Sequence, residues 1–382
     1  MRYDNLQRIL LSILLASMAF RSESAYAAAG PSIHRVTVTR SSFNAVAGES
    51  TILSASFDGI GQATATVLDR DGRPIKHLGP QQTAPRRASQ WIWNGVDNSG
   101  AIVADEAYSF RIDWTDGRHK ASYAPAVKDV ELISIPPEYY DRRGGTLAYE
   151  LPAACRVHIQ AGVTTQRKNA GDVDGVVLKT IVNREPRGKG AVAEHWDGMD
   201  ASGTIFVPDM GGFVIAIAAT RLPENSVITF GNRRRRFADE ESTRTGNSSV
   251  PNAAVSHPHH RGLGTLDDLS PDLRLEIPGA RWSAADRAWI TSSTSVQLSI
   301  KPIGPAAGHF GRQPGTIYLF VNQRERSHAA SDASATSQTI NSGPLDSGLN
   351  VITVNWVSEW GPLAVNSVRV LVAKASKADV QR

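Results

Sequence analysis

One cysteine in 382 residues leaves no material for covalent or thiolate staples. It excludes an intrachain disulfide framework and a zinc cage built from several cysteines. An excess of one charge is also lacking. The 41 Lys and Arg stand against 37 Asp and Glu, a formal net charge of +4. A strongly basic nucleic-acid binder would look different, so no nucleic-acid partner is expected. Long apolar runs are missing too. The run Ile9–Phe20 has 12 residues, against the roughly 20 that a membrane-spanning helix needs. No apolar segment of spanning length follows it, and no later stretch holds a 3.6-residue apolar period. Neither a further transmembrane segment nor a helical bundle is therefore expected. What remains is globular composition, 41% hydrophobic and 20% charged, on a chain long enough for two or three cores.

The N-terminus reads as an export signal. Arg2 and Arg8 precede the apolar run, and Ala25-Tyr26-Ala27 before Ala28 is a small-residue cleavage site. A basic start, a short apolar run and such a site make a secretory signal peptide over residues 1–27. An uncleaved anchor or a buried helix is the alternative. Export implies the bacterial periplasm or cell surface, an oxidising place for a chain stabilised by cores rather than bridges. Cys155, among Ala153, Ala154 and Val157, reads as a small buried residue, with an intermolecular disulfide as the alternative.

An internal repeat is the most informative feature. Residues 72–102 lie over residues 175–205 at an offset of 103 without a gap. Trp93-Asn94-Gly95 falls on Trp196-Asp197-Gly198, and Asp97, Ser99, Gly100 and Ile102 fall on Asp200, Ser202, Gly203 and Ile205. Both copies alternate in period two. Leu53, Ala55 and Phe57 do so in the first, as do Tyr108, Phe110 and Ile112; Phe213, Ile215 and Ile217 carry the same phase in the second. Short strands punctuated by Asp-Gly turns predict tandem β-sandwiches. The Trp would end a strand and cover the core, and the Asp and Gly would build the turn behind it. Asp97 and Asp200 invite a calcium reading, but the spacing of an EF-type loop is missing, so no metal is expected.

The stretches "WNGVDNSGAIVADEAYSFRI" and "WDGMDASGTIFVPDMGGFVIAI", with Thr146–Pro152 as an opening strand, resemble the immunoglobulin-like domain of flagellar hook-capping (FlgD-type) proteins. The resemblance covers roughly residues 45–115 and 145–220. It implies an all-β fold of tandem immunoglobulin-like sandwiches. The family's D-G-x-Y element is altered to Asp105-Glu106-Ala107-Tyr108 and to Asp209-Met210-Gly211-Gly212-Phe213, and the second copy carries an insertion near Thr164–Asp174. Hook-capping proteins leave through the flagellar export apparatus and have no signal peptide. The module, not the hook-capping function, is what the resemblance implies.

Residues 232–272 are polar and open with Arg233-Arg234-Arg235-Arg236. They read as an exposed linker. The arginines are either a solvated face or a contact for an anionic polymer, lipid headgroups or an acidic partner. His257, His259 and His260 lack acidic or cysteine ligands at metal-binding spacing. Strands return from Leu273, through Ile317–Asn322, Leu345–Val354 and Val368–Val372. "LFVN" and "LDSGLNVITV" resemble pieces of exported bacterial immunoglobulin-like domains. The expected units are 1–27 (signal peptide), 30–128 and 129–231 (paired sandwiches), 232–272 (linker) and 273–376 (third sandwich).

Enzymatic motifs are absent. There is no G-x-S-x-G, no H-E-x-x-H and no P-loop, since Gly188-Lys189 runs into Gly190. No catalytic residue or cofactor is expected. The candidate partner contacts are Arg233, Arg234, Arg235 and Arg236, together with Trp356 and Trp360 at the end of a predicted strand. The expected function is a non-catalytic structural or interaction protein whose partner is an envelope or surface protein. A glycan or cell-wall binding module, or an unrecognised secreted enzyme, are the alternatives. Burial of Trp356 and Trp360 between sheets would favour the first reading, and their exposure the second.

Overall fold

The structure is a computed structural model. It describes residues 32–125, 132–164, 175–232, 234–235, 270–304, 307–332, 334–358 and 363–373. Almost every element is a strand, and the strands make three two-sheet sandwiches, each with its own core, the second also taking in Phe320 of the third.

In the first sandwich the smaller sheet runs β1 (Ile33–Val38), β3 (Thr51–Phe57), β6 (Ala88–Trp93). The larger sheet holds β2 (Ser42–Asn44), β4 (Gly61–Leu68), β5 (Pro74–Thr83) and β7 (Ala107–Thr115), with β8 (Lys120–Tyr123) paired to β7. The expected alternation is present: Leu53, Ala55 and Phe57 of β3 and Tyr108, Phe110 and Ile112 of β7 all point into one core.

The second sandwich repeats the plan. Its smaller sheet is β10 (Tyr139–Asp141), β11 (Thr146–Leu151), β14 (Gly190–His195). Its larger sheet runs β13 (Gly175–Arg187), β12 (Cys155–Thr164), β15 (Phe213–Arg221), β9 (Leu132–Ile135). Cys155 is fully buried in this core, and burial pushes its thiol pKa up.

The next strand does not stay with the second sandwich. β16 (Val227–Phe230) crosses back and inserts into the first sandwich's larger sheet. It runs parallel to β2 and antiparallel to β7, and Val227 lies in the first core. The sequence reading has this stretch closing the second unit. A four-residue strand with apolar, polar and aromatic residues fits either sheet edge, and the choice is made by the partners waiting there.

The third sandwich pairs a sheet of β17 (Asp272–Glu276), β20 (Gln297–Ile303) and β23 (Gln338–Asn341) with a larger one. That sheet runs β18 (Arg281–Ser283), β19 (Ala288–Thr291), β25 (Leu363–Val372), β24 (Gly348–Ser358), β21 (Gly315–Val321), β22 (Arg324–Ala330). The signal segment, the insertion near Thr164–Asp174, and His257, His259 and His260 lie outside the described residues.

Candidate interaction site

The repeat holds down to individual hydrogen bonds. The Trp93 indole N–H donates to Val96 O at 3.0 Å and that of Trp196 to Met199 O at 2.8 Å, positions 103 apart. Asn98 N–H donates to Ile75 O, and Ala201 N–H to Leu178 O. The Asp97 carboxylate accepts from the Ser99 hydroxyl at 2.6 Å and from Ala101 N–H at 3.0 Å. Asp200 accepts from the Ser202 hydroxyl at 2.9 Å and from Thr204 N–H at 3.0 Å. These carboxylates spend their lone pairs on their own turns. The turn glycines are required. Gly95 (φ +76) and Gly198 (φ +81) occupy the left-handed region, and a Cβ there would meet Ala45 and Phe206 at 2.5 and 2.3 Å. Among the described residues, no group of three or more His, Cys, Asp or Glu is placed to hold a metal ion.

Beyond β16 the chain is strapped to the first sandwich. Thr229, fully buried, donates its hydroxyl to Ala104 O at 3.0 Å, and its N–H donates to Glu106 O at 2.9 Å. Asp105 accepts from Gly231 N–H at 3.0 Å and Asn232 N–H at 2.8 Å. Arg235 then reaches the repeat turn itself, giving a hydrogen bond to Ile102 O at 2.8 Å and one to Asp97 at 3.4 Å. The arginine run therefore divides. Arg234 is exposed, Arg235 is half-buried and engaged, and Arg233 and Arg236 lie outside the described residues. Residues 232 and 235 belong to this strap, because backbone carbonyls and two carboxylates at the turn supply them with partners.

Beside the strap lies a buried ion cluster that joins the first two sandwiches. Glu106 is 1% exposed. Arg156 of β12 meets it at 2.7 Å, and Arg70 of the first sandwich pairs with its other oxygen. Burial alone would push the Glu106 carboxyl up, but Arg156 and Arg70 together hold it below the ordinary carboxylate value. Arg156 also donates to Arg184 O at 3.3 Å. Burial in turn lowers His158, two residues along β12, to a pKa of about 4, and Arg184 adds to that. Sequence reasoning passed over Glu106, Arg70, Arg156 and Thr229. One signal was present: Glu106 stands where the hook-capping pattern has glycine.

Trp356, expected as a candidate partner contact, is instead a core residue. It is 1% exposed and packs edge-on against Phe310 at 5.3 Å. β24 continues its period-two pattern through Ile352, Val354 and Trp356, which keeps the indole on the inner face. Trp360 lies outside the described residues. The opposite face of β24 touches the second sandwich. The Asn355 amide donates to Val177 O at 2.8 Å and accepts from Val177 N–H at 3.1 Å, supplying edge strand β13 with the pairing a strand would give. Arg287, on the turn after β18, donates to Gly203 O of the second repeat turn. Among the described residues, the exposed tryptophan is Trp282, 48% accessible and edge-on to its cross-strand partner Trp289 at 5.6 Å.

No protein-family model and no curated protein matches the chain. Several solved structures align over most of it. A solved chain from a 1.5-MDa bacterial ice-binding adhesin aligns with 91% of this chain over 99% of that solved chain, at 11% identity and TM-score 0.18. The FN1–FN3 domains of chicken CNTN1 cover 90% and 97%, at 9% identity and TM-score 0.16. The fibronectin(III)-like modules of Clostridium thermocellum CbhA cover 90% and 95%, at 8% identity and TM-score 0.19. With TM-scores this low, the fold rests on the strands and cores of this chain itself. Among the described residues, no helix is long and apolar enough to cross a membrane.

Proposed function

We propose that this chain is an exported, non-catalytic structural or interaction protein of the bacterial envelope or cell surface. In this reading it is built from two hook-capping-type immunoglobulin-like modules (30–128 and 129–231), a polar linker (232–272) and a third module (273–376). The strand Val227–Phe230 of the second stretch is seated in the first module. One observation carries the reading. The repeat's polar side chains, Asp97 and Asp200 with their serines, are consumed in holding turns and neighbouring segments. They build a scaffold. The partner is an envelope or surface protein, met through strand edges and loops. The test is fractionation of cells carrying the full chain, followed by cross-linking in the intact envelope. Recovery in the periplasm or at the surface, cross-linked to a defined envelope protein, is expected. Cytoplasmic retention with an intact N-terminus would overturn the export, and an envelope pool without cross-links would overturn the partner.

A second reading, glycan or cell-wall binding, is favoured by Trp282, whose exposed indole is braced by Trp289. An indole face of this kind can stack on the C–H face of a sugar ring. Retention of the mature protein on isolated cell wall, lost in Trp282→Ala at unchanged melting temperature, would establish it. Equal retention of both proteins would remove it.

A further inference from the structure

We propose that the first two sandwiches form one cooperative body, in which the second is carried as an insertion within the first. The strap Val227–Arg235 closes the first sandwich after the second has been made, and Glu106 pins the two together.

Three observations carry this. First, the strap is integral to the first sandwich. β2 joins the larger sheet through β16 and, among the described residues, pairs with no other strand. β2 bears Phe43, fully buried and edge-on to Trp93 at 5.6 Å. Removing β16 takes Val227 out of the core and leaves Phe43 without a strand to hold it over the repeat tryptophan. The strap is therefore part of the core, not a tail resting on it.

Second, the strap arrives from far along the chain. Thr229 and Glu106, which exchange backbone and hydroxyl hydrogen bonds, are 123 residues apart. Joining them across an unfolded segment carries a large loop-closure entropy. The second sandwich removes most of it by bringing its own ends together, since Leu132 of β9 pairs with Thr220 of β15. Shortening the free loop from about 100 to about 10 residues raises the closing equilibrium roughly 30-fold. Folding of the second sandwich thus promotes completion of the first.

Third, the two bodies share a buried charge cluster. Glu106 of the first is desolvated against Arg156 of the second and Arg70 of its own. Neither sandwich can move away without leaving a buried charge uncompensated. The pair behaves as one stiff spacer, where a string of independent modules would hinge.

Native-state hydrogen exchange on the full chain tests this. Leu147→Ala removes a fully buried side chain of the second core, far in sequence from the first. It should lower protection at least tenfold at the β12 amides and, to a similar degree, at the β4 and β7 amides. Loss confined to the second sandwich would overturn the proposal. Val157→Ala, a smaller cut in the same core, serves if Leu147→Ala does not fold. Thr229→Val keeps the shape but removes the strap's hydroxyl bonds, and should lower β7 protection several-fold. Unchanged β7 protection would overturn the strap's role. Glu106→Gln should weaken the transmission from Leu147 to β7, and full transmission in that variant would overturn the pin.

Discussion

The two repeat copies share a turn, a tryptophan and a core, and differ in how they finish. In the second copy β9, from just upstream, lies beside the returning strand β15. In the first, β8 covers one half of β7, and the other half receives β16 from beyond the second copy. The difference follows from one short element. The bonds Val103 N–H to Gly95 O and Val207 N–H to Gly198 O show one extra residue in the second turn, so Asp105 corresponds to Asp209 and Glu106 to Met210. Glu106 is 1% exposed and paired with two arginines, whereas the uncharged Met210 packs against the second core. Asp105 binds the strap backbone, while its counterpart Asp209 ends a 3-10 turn with its side chain 74% exposed. The same module can therefore be an end unit or a host, depending on two residues before its last strand.

Four substitutions or pairs would break or sharpen that comparison. The largest effect belongs to what the copies share. Trp93→Ala and Trp196→Ala should each cost about 3–5 kcal/mol. Trp93 should lie higher, because its ring meets Phe43, Tyr108 and Phe110, while that of Trp196 meets Tyr140 and Phe213. Urea melts of both variants measure it, and an unchanged midpoint would place the ring outside the core.

Next comes what the copies do not share. Glu106→Gln should cost about 3–4 kcal/mol, because two buried guanidinium groups lose the carboxylate that touches both. Asp209→Asn should cost less than about 0.5 kcal/mol, as expected of an exposed carboxylate 3.7 Å from Arg142. Equal losses in chemical melts would mean that Glu106 is no more structural than an exposed carboxylate on the same element of the second copy.

The third concerns pH. The registers of β4 with β5 and β7, and of β12 with β13 and β15, place His158 at the position of Thr64, which is exposed. His158 is covered, and burial lowers its pKa to about 4 from an ordinary 6.5. Between those values the unfolded chain binds a proton that the folded chain refuses. Stability from this group is full above pH 6.5 and is lost as pH falls towards 4, by about 2–3 kcal/mol. In His158→Gln that part of the slope should vanish from melts across the window. An unchanged slope would show that His158 is solvated like Thr64.

The smallest effect separates the arginines. Arg235→Ser should cost about 1 kcal/mol through its lost bonds to Ile102 O and Asp97. Arg234→Ser should change stability by less than about 0.5 kcal/mol. Limited tryptic digestion gives a second readout, with cleavage after Arg234 outpacing cleavage after Arg235. The reverse order would mean that the strap ends before Arg235.

Much of this was legible locally. The tandem repeat, the β class and the turn chemistry follow from Trp, Asp, Ser and Gly at fixed spacing with period-two apolar residues, because each acts within a few bonds of where it stands. Trp356 was legible too: it continues the inward phase of Ile352 and Val354, and only its proximity to Trp360 suggested a surface role. The seat of Val227–Phe230 was not legible. Its pattern suits either sandwich, and pairing depends on which strand edge lies open in space. Nor was the partnership of Glu106 with Arg156, since the groups lie on different sandwiches and meet only once both have folded.

The sequence by itself thus determined the modules: strand period, turn residues and core side chains are local properties of the chain, and each copy carries its own set. Tertiary structure alone decided how the modules are joined. A four-residue strand, a buried glutamate and a half-buried arginine have no preferred partner until loop closure, desolvation and unpaired backbone groups assign them one.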